Sequence, residues 1–477
     1  FDRPNPHIDF DRAPFRVNTA LRAWEAAPGQ VRRAGVSAFG FGGTNFHMVL
    51  EEYVPGRIAG EAKPRVAVPG NYGEPGAGTS LKTPLRGALV LGAESEAALV
   101  GRAESACREA AAGRAPEPAP PMDRDLRAPF RLVVDYGDAA ELADKLGRAL
   151  KAFGENQPAR WKALRPKGIY YGKGPAPKVA FLFTGQGSQY VNMLRTLRET
   201  EPIVTEVFAE ADRTMTPLLG RSLTSCIYLD ESDEAAVREA ENGLKQTAIT
   251  QPAVLAAETA LARLIGAYGI APDMVMGHSL GEYGALVAAG AITFENALRA
   301  VSARGNEMTK CAMEDNGLMA AAFGPIDEIQ KILGTVDDYV VIANINSTKE
   351  AVIGGSTTGV EKAVEALKQA GYVARVLQVS HAFHTRIVAP AGESLSRILG
   401  TMNIQPPVTP IVTNVTGEFY PMGPGVVPEM IGLLGKQVSS PVQFIKGLNT
   451  LYDAGARVFV EMGPKRILYG FVEDVLG

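Results

Sequence analysis

The sequence predicts an α/β protein whose core is a parallel sheet, and three observations support this fold class. Residues 179–183 form a continuous apolar run that ends at Gly185-Gln186-Gly187, as in a buried parallel strand followed by a functional loop. From residue 178 onward, strand and helix patterns alternate to the end of the chain. Residues 317–379 have the order strand, helix, strand, strand, helix, strand, which predicts an inserted ferredoxin-like subdomain.

Length and composition exclude several classes of protein. The chain has 477 residues, which allows about three domains, and 46% of them are hydrophobic, enough for a large core. Lys and Arg together number 48 and Asp and Glu 52, and the basic residues form no run, so nucleic acid is not an expected partner. The longest apolar stretches, such as residues 284–292, are shorter than the roughly 18 residues that a membrane span needs.

The first ten residues bear on export from the cell, and the number and spacing of the cysteines and histidines bear on disulfides and metal sites. Residues 1–10 carry charged side chains and two prolines, so we expect no export signal and a cytoplasmic protein. The three cysteines, Cys107, Cys226 and Cys311, form no CxxC pair, and five histidines are scattered along the chain. We therefore expect neither a disulfide framework nor a metal site.

The first 177 residues predict a tail and a small unit before the core. Residues 1–53 end in a glycine-rich turn that runs into an apolar strand. Residues 64–84 and 113–121 are rich in glycine or proline and predict linkers. A helical pattern at 94–112 and a strand-then-helix pattern at 130–153 predict a small α/β unit around the second linker.

Within the subdomain, the pattern assigns each element. Strands are predicted at 318–323, 340–344, 351–354 and 373–379, and helices at 326–333 and 359–370. The insertion interrupts the larger sheet, whose remaining elements follow it.

A nucleophile elbow is the strongest chemical signal. Gly277-His278-Ser279-Leu280-Gly281 lies between an apolar strand and a helix-forming segment at 284–289. In a strand-turn-helix context the glycines permit the cramped turn that lifts a serine hydroxyl above a hydrolase-like parallel sheet. Ser279 is therefore a candidate nucleophile, and the core is predicted to be hydrolase-like.

A serine nucleophile needs a base. His7 and His47 lie in the N-terminal segment, and the turn directs the His278 side chain away from Ser279, which leaves His381 and His384 as alternatives. The amides of residues 185–187 could bind an oxyanion. Ordinary packing of both histidines, and an ordinary tight turn at residues 185–187, are the plain structural alternatives.

Six motifs follow one another along the second part of the chain: Gly185-Gln186-Gly187-Ser188-Gln189, Gly277-His278-Ser279-Leu280-Gly281, Arg304-Gly305-x-x-Met308, Asn344-x-Asn346-Ser347, His381-Ala382-Phe383-His384 and Glu461-x-Gly463-Pro464. In order and spacing they resemble the malonyl-CoA:acyl carrier protein transacylases, in the form found as acyltransferase domains of polyketide synthases and polyunsaturated fatty acid synthases. The resemblance covers about residues 178–477. Residues 1–53 look like the C-terminal tail of a ketosynthase, and residues 54–177 look like the linker domain between a ketosynthase and an acyltransferase.

The resemblance implies a catalytic set. Ser279 would be acylated and His384 would be its general base, oriented by the backbone carbonyl of Gln437 instead of a carboxylate. The backbone amides of Gln186 and Leu280 would form the oxyanion hole.

The resemblance also implies a substrate pocket. Arg304 would hold the free carboxylate of a malonyl group through a two-pronged pair, although as a sequence feature alone it reads as a solvated helix arginine. Gln251, Met308 and Asn346 match pocket positions more loosely, with ordinary packing as the alternative. Phe383, in the His-Ala-Phe-His motif associated with malonyl specificity, would exclude an α-methyl group.

The implied reaction is malonyl transfer from malonyl-CoA to the phosphopantetheine thiol of an acyl carrier protein domain, with the ketosynthase of the parent synthase as a further partner. No bound cofactor or metal is implied. The ketosynthase-like segment begins after that family's catalytic cysteine and histidines, and the chain ends without a carrier domain, so we expect a piece of a multidomain synthase. The alternatives are a serine hydrolase or thioesterase, and a docking fragment without catalysis; Arg304 favours a dicarboxylic acyl group over a plain fatty one.

Overall fold

The computed structural model divides the chain into two compact units, Phe1–Lys63 and Pro64–Gly477. In the first unit, β1 (Arg33–Phe39) and β2 (Asn45–Glu51) pair antiparallel. The glycine-rich turn between them, the predicted linker at 64–84, His7 and Cys311 lie outside the described residues. The residues described are 20, 24, 32–39, 45–51, 86–119, 121–155, 157–175, 177–230, 232, 234–310 and 315–477.

A small α/β unit opens the second part of the chain, as the sequence predicts. Its three strands form an antiparallel sheet in the order β3-β4-β5, and its helices bury leucines and alanines on one side to make a hydrophobic core. The elements are β3 (Gly87–Ala93), α1 (Glu96–Ala111), α2 (Asp123–Arg127), β4 (Phe130–Tyr136), α3 (Ala139–Glu155), α4 (Pro158–Leu164) and β5 (Ile169–Lys173).

The main domain begins with a buried strand and a set of helices. Its first strand, β6, carries the apolar run identified in the sequence, and its second, β7, leads into the elbow. The elements are β6 (Lys178–Phe183), α5 (Arg195–Thr200), α6 (Pro202–Leu219), α7 (Glu234–Gly243), α8 (Thr247–Ala267), β7 (Met274–Gly277), α9 (Gly281–Ala288) and α10 (Phe294–Lys310).

The inserted subdomain has the predicted βαββαβ order. Its antiparallel sheet has the strand order β11-β8-β10-β9. Its last strand ends three residues earlier than predicted, because after Val376 the chain leaves the sheet and runs towards the loop that carries His384. The elements are β8 (Leu318–Phe323), α11 (Ile326–Leu333), β9 (Val340–Ser347), β10 (Glu350–Gly355), α12 (Thr357–Gln369) and β11 (Val373–Val376).

The chain then returns to the main sheet, which is parallel with the order β12-β7-β6-β13. This sheet and the inserted subdomain confirm the predicted fold class. The remaining elements are α13 (Pro390–Gly400), β12 (Ile411–Val412), α14 (Val427–Gln437), α15 (Phe444–Asp453), β13 (Ala456–Met462) and α16 (Leu468–Leu476).

Candidate active site

Ser279 lies in a cramped turn between β7 and α9, with a positive φ of 53°. A Cβ atom at Gly277 would lie 1.9 Å from the backbone carbon of Gly281, and one at Gly281 would lie 2.2 Å from the carbonyl oxygen of Phe183. Both glycines are therefore required by backbone contacts. Asn414, just beyond β12, holds the turn from the side: its Oδ1 accepts from the Ser279 amide and its Nδ2 donates to the Gly277 carbonyl.

The Ser279 hydroxyl lies 2.7 Å from Nε2 of His384, which is also in a left-handed conformation, with a φ of 60°. On the other side of the ring, Nδ1 lies 2.9 Å from the carbonyl oxygen of Gln437 and 3.1 Å from that of Ser440. Because carbonyl oxygens only accept, the proton of a neutral ring sits on Nδ1, and Nε2 presents its lone pair to the serine. No carboxylate takes part in this pair among the described residues.

The electrostatic surroundings keep His384 neutral. The residue is 3% exposed, and burial, followed by the positive charge of Arg304, lowers the pKa of its ring from the ordinary 6.5 to about 3. A base must be unprotonated to accept a proton, so His384 is in the required state throughout the physiological pH range.

Arg304 reaches the nucleophile from α10. It is 2% exposed; its Nη2 donates to Ser279 Oγ at 3.3 Å and to Oε1 of the Gln437 side chain at 3.1 Å. Its Nε is buried without a hydrogen-bond partner, and burial lowers the pKa of its guanidinium. A buried cation with an unused donor, next to a nucleophile, is arranged to receive an anionic group.

Two backbone amides complete the surroundings of Ser279. Gln186 follows β6 and Leu280 follows β7; these strands are parallel neighbours in which Phe183 pairs with Gly277. The loops after both strands therefore lie at one edge of the sheet, where open α/β sheets bind their ligands. Within the described residues, neither amide donates a hydrogen bond to the protein.

Other predicted pocket residues are buried near the site. Gln251 on α8 and Met308 on α10 contact each other, with Gln251 Nε2 3.9 Å from Met308 Sδ, and Gln251 Oε1 has no partner. Phe383 is buried immediately before the histidine. Asn346 is placed differently: its side chain lies 2.8 Å from His278 Nε2, behind the elbow, and donates to Glu350.

Comparison with known proteins matches this fold. Residues 180–476 match the family described as the acyl transferase domain, and residues 4–71 match the ketoacyl-synthetase C-terminal extension. The malonyl CoA-acyl carrier protein transacylase of Bacillus subtilis is 35% identical over 62% of this chain and 90% of its own length. The chain belongs to the acyltransferase domain family.

A longer relative and a solved complex extend the comparison. The acyltransferase is 32% identical over its whole length to the spectinabilin polyketide synthase system protein NorB of Streptomyces orinoci, of which it spans only 20%. A malonyl-transacylase, solved in complex with a type II polyketide synthase acyl-carrier protein, is 32% identical, with a TM-score of 0.57 over 63% of this chain and 93% of its own.

Three residues that support the acyltransferase site were missed by sequence analysis: Asn414, Glu282 and Tyr420. Glu282 is buried on the first turn of α9 and accepts from the Tyr420 hydroxyl and from the Gln437 side chain. A charged residue directly after an elbow, at a position that the helix buries, was a readable signal for Glu282. Asn414 and Tyr420 gave no such signal, because their partners lie more than a hundred positions away.

Two searches of the described residues bear on other classes of function. No cluster of three or more His, Cys, Asp or Glu side chains in this part of the chain could hold a metal ion. Among the same residues, no helix combines the length and apolar character of a membrane span.

Proposed function

We propose that this acyltransferase moves a malonyl group from malonyl-CoA, through an ester on Ser279, to the phosphopantetheine thiol of an acyl carrier protein. The observation that carries this proposal is the buried Arg304 guanidinium, 3.3 Å from the Ser279 hydroxyl and with its Nε unpartnered. Such a cation suits an acyl group that ends in a carboxylate, since Arg binds carboxylates through paired N–H donors. A plain fatty acyl chain would bury this charge against hydrocarbon, which disfavours a fatty thioesterase.

In the first half-reaction, His384 Nε2 takes the hydroxyl proton as Ser279 Oγ attacks the thioester carbon. The negative charge on the carbonyl oxygen is stabilised by the amides of Gln186 and Leu280. The carbon–sulfur bond then breaks, and His384 returns the proton to the departing sulfur, so CoA leaves as a thiol. A malonyl ester remains on Ser279.

In the second half-reaction, the same groups work in the opposite direction. His384 takes the proton of the phosphopantetheine thiol, and the thiolate attacks the ester carbon. The bond to Ser279 Oγ breaks and His384 protonates this oxygen, which leaves malonyl thioester on the carrier. No bound cofactor or metal takes part in this scheme.

The partners follow from the chemistry and from the relatives. The similar proteins include a malonyl CoA-acyl carrier protein transacylase, a malonyl-transacylase in complex with an acyl-carrier protein, and a polyketide synthase protein. This supports a carrier domain and a ketosynthase of the same synthase as partners. We assign the transfer to polyketide or fatty acid chain extension. We propose that the reaction takes place in the cytoplasm.

The direct test is the intact mass of the protein after incubation with malonyl-CoA. We expect an increase by one malonyl group in the wild type and none in Ser279→Ala, which removes only the attacking oxygen. An unmodified wild-type protein, or an alanine variant that gains the same mass, would refute the proposal.

The role of Arg304 has its own test. Arg304→Ala should lower kcat/KM for malonyl-CoA much more than for acetyl-CoA, because only the malonyl group has a carboxylate to pair. Removing one partner of a buried ion pair commonly costs about 3–5 kcal/mol. Equal proportional losses for the two thioesters would contradict the assignment.

A further inference from the structure

We propose that the side-chain amide of Gln437 is a neutral bridge between the buried charges of Arg304 and Glu282, and that this bridge sets the preference for carboxylated acyl groups. In this arrangement Gln437 and Glu282 are positioning residues. They orient the Arg304 guanidinium towards the acyl end of the substrate, and the Gln437 amide separates the guanidinium from the Glu282 carboxylate that balances its charge. The inference rests on the malonyl transfer proposed above.

The cationic end of the bridge has no direct acidic partner. Among the described residues, no carboxylate forms an ion pair with Arg304, although its side chain is almost completely buried. The guanidinium instead donates from Nη2 to Gln437 and Ser279, and its Nε is left without a partner. An isolated cation in this environment would be costly, so its charge must be balanced from nearby.

The anionic end lies on the far side of Gln437. Glu282 is fully buried. Its Oε2 accepts from Gln437 Nε2 at 2.8 Å and from the backbone amide of Asn414 at 3.3 Å. Its Oε1 accepts from the Tyr420 hydroxyl. Burial raises the pKa of Glu282, but both of its oxygens face donors, and these hydrogen bonds favour the ionised carboxylate.

Gln437 satisfies both ends with one planar group. Its Oε1 accepts from Arg304, and its Nε2 donates to Glu282 and, at 2.7 Å, to the carbonyl oxygen of Ser279. Only an amide offers an acceptor and two donors in this geometry. The backbone carbonyl of the same residue faces His384 separately, so the side chain can be altered while the contact to the base is kept.

The value of an amide between the two charges is that it leaves the guanidinium available. A carboxylate in place of this amide would pair with Arg304 directly, neutralise it and occupy the donors that a substrate carboxylate needs. Through the amide, Glu282 still offsets the burial of Arg304, but at a distance at which the attraction is weaker. The substrate therefore becomes the first carboxylate that contacts Arg304.

The first test is Gln437→Met, which removes the amide, keeps the length of the side chain and retains the backbone carbonyl. We expect kcat/KM for malonyl-CoA to fall about tenfold or more, the scale for losing a hydrogen bond to a charged group, mainly through KM. The fall for acetyl-CoA should be several times smaller. Equal falls for both thioesters would reduce Gln437 to a packing residue and overturn the inference.

The sharper test exchanges the two groups in the double variant Glu282→Gln with Gln437→Glu. Composition and charge are unchanged, but the carboxylate now contacts Arg304. We expect the ratio of malonyl to acetyl kcat/KM to fall about tenfold or more, with the loss again in KM for malonyl-CoA. A double variant with the wild-type ratio would show that the order of the groups is irrelevant and would overturn the proposal.

Two controls separate the possible failures. Tyr420→Phe removes one donor to Glu282 and leaves Gln437 unchanged. If circular dichroism shows that the double variant does not fold, this milder variant must lower the ratio of malonyl to acetyl kcat/KM. An unchanged ratio overturns the inference. If wild-type protein does not acquire malonyl on Ser279, the proposed function fails. If wild-type protein does acquire malonyl, and kcat/KM of the variants falls equally for malonyl-CoA and acetyl-CoA, only the inference fails.

Discussion

At the scale of single residues, the proposed nucleophile and the proposed base share a backbone conformation that residues other than glycine rarely adopt. Ser279 and His384 both have positive φ angles, of 53° and 60°. Such a backbone conformation costs on the order of 1–3 kcal/mol of free energy per residue, and it persists only where surrounding contacts stabilise it. Here Asn414 holds the first turn, and the Val438 carbonyl, which accepts from the His384 amide, holds the second.

The lowered pKa of His384 predicts an unusual pH profile. A base loses activity as the pH falls through its pKa, and an ordinary histidine would do so near 6.5. Because burial and Arg304 lower the pKa of His384 to about 3, acylation should be nearly constant between about pH 5 and 8. Rapid-quench mass spectrometry across this range measures it.

The control is Arg304→Ala with acetyl-CoA as the substrate. Removing the neighbouring positive charge should raise the pKa of His384 and move the acid limb of the profile to higher pH. A wild-type profile that falls about tenfold per pH unit below 6.5 would mean that His384 is protonated there and would contradict the argument.

Phe383 predicts the selectivity for the extender unit. If its ring fills the space of an α-methyl group, malonyl should be preferred over methylmalonyl by about 10–200-fold, the range for excluding one methyl group by shape. Phe383→Ser should raise the ratio of methylmalonyl to malonyl transfer. Competition between the two thioesters gives this ratio even where the variant lowers both rates, and equal loading by the wild type would show that Phe383 is not a gate.

At the scale of elements, the parallel sheet brings the site together. β6 and β7 are neighbours, so the loops that carry Gln186 and Ser279 leave the same edge. His384, the proposed base, lies in the loop after β11, and its Nδ1 faces the carbonyl oxygen of Gln437 at the end of α14. The insertion is joined to this region by a parallel bridge between Asn344 on β9 and Val442.

The packing of α9 against β6 predicts that the elbow tolerates no side chain at Gly281. Its Cβ would lie 2.2 Å from a backbone oxygen of β6, and backbone cannot move aside as a side chain does. Gly281→Ala should lose acylation and destabilise the fold by about 1–3 kcal/mol, the usual cost of overpacking.

The matched control is Gly432→Ala in the middle of α14, where a Cβ meets nothing within 4 Å. Alanine in a helix interior is favoured over glycine by about 0.5–1 kcal/mol, so this variant should be as stable as the wild type or more so. Urea unfolding compares the two, and equal stabilities for both variants would contradict the steric argument.

At the scale of the whole molecule, the small α/β unit has a hydrophobic core of its own, distinct from those that surround the catalytic residues. Leu146→Ala in this core should destabilise the small unit by about 2–5 kcal/mol, while acylation of Ser279 remains at the wild-type rate. Trp161, which packs on Phe153 and Tyr171, reports on this unit.

The chain has two tryptophans, so a Trp24→Phe background isolates the Trp161 fluorescence. Leu298→Ala on α10, equally buried but in the main core, is the comparison and should lower the thermal stability of acylation activity. If Leu146→Ala abolishes acylation at temperatures where the protein is folded, the two cores are coupled and the prediction is wrong.

The sequence by itself determined the fold class, and it predicted the nucleophile. Both depend on short-range rules: the alternation of apolar residues defines strands and helices, and the elbow needs glycines two positions on either side of Ser279. The sequence identified the base less directly. Residue patterns left His381 and His384 as alternatives, and only the family resemblance favoured His384.

Only the tertiary structure decided how the charges of the site are balanced. Glu282 and Gln437 are 155 positions apart, and Glu282 and Tyr420 are 138 apart. A hydrogen bond of this kind leaves no periodicity in the sequence, because its partners are brought together by the packing of α14 and the chain after β12 against the elbow. Arg304, which the sequence left as either a solvated helix residue or a substrate ligand, is buried because α10 packs beside α8 and α9. In the proposed function, this burial is what makes its charge selective.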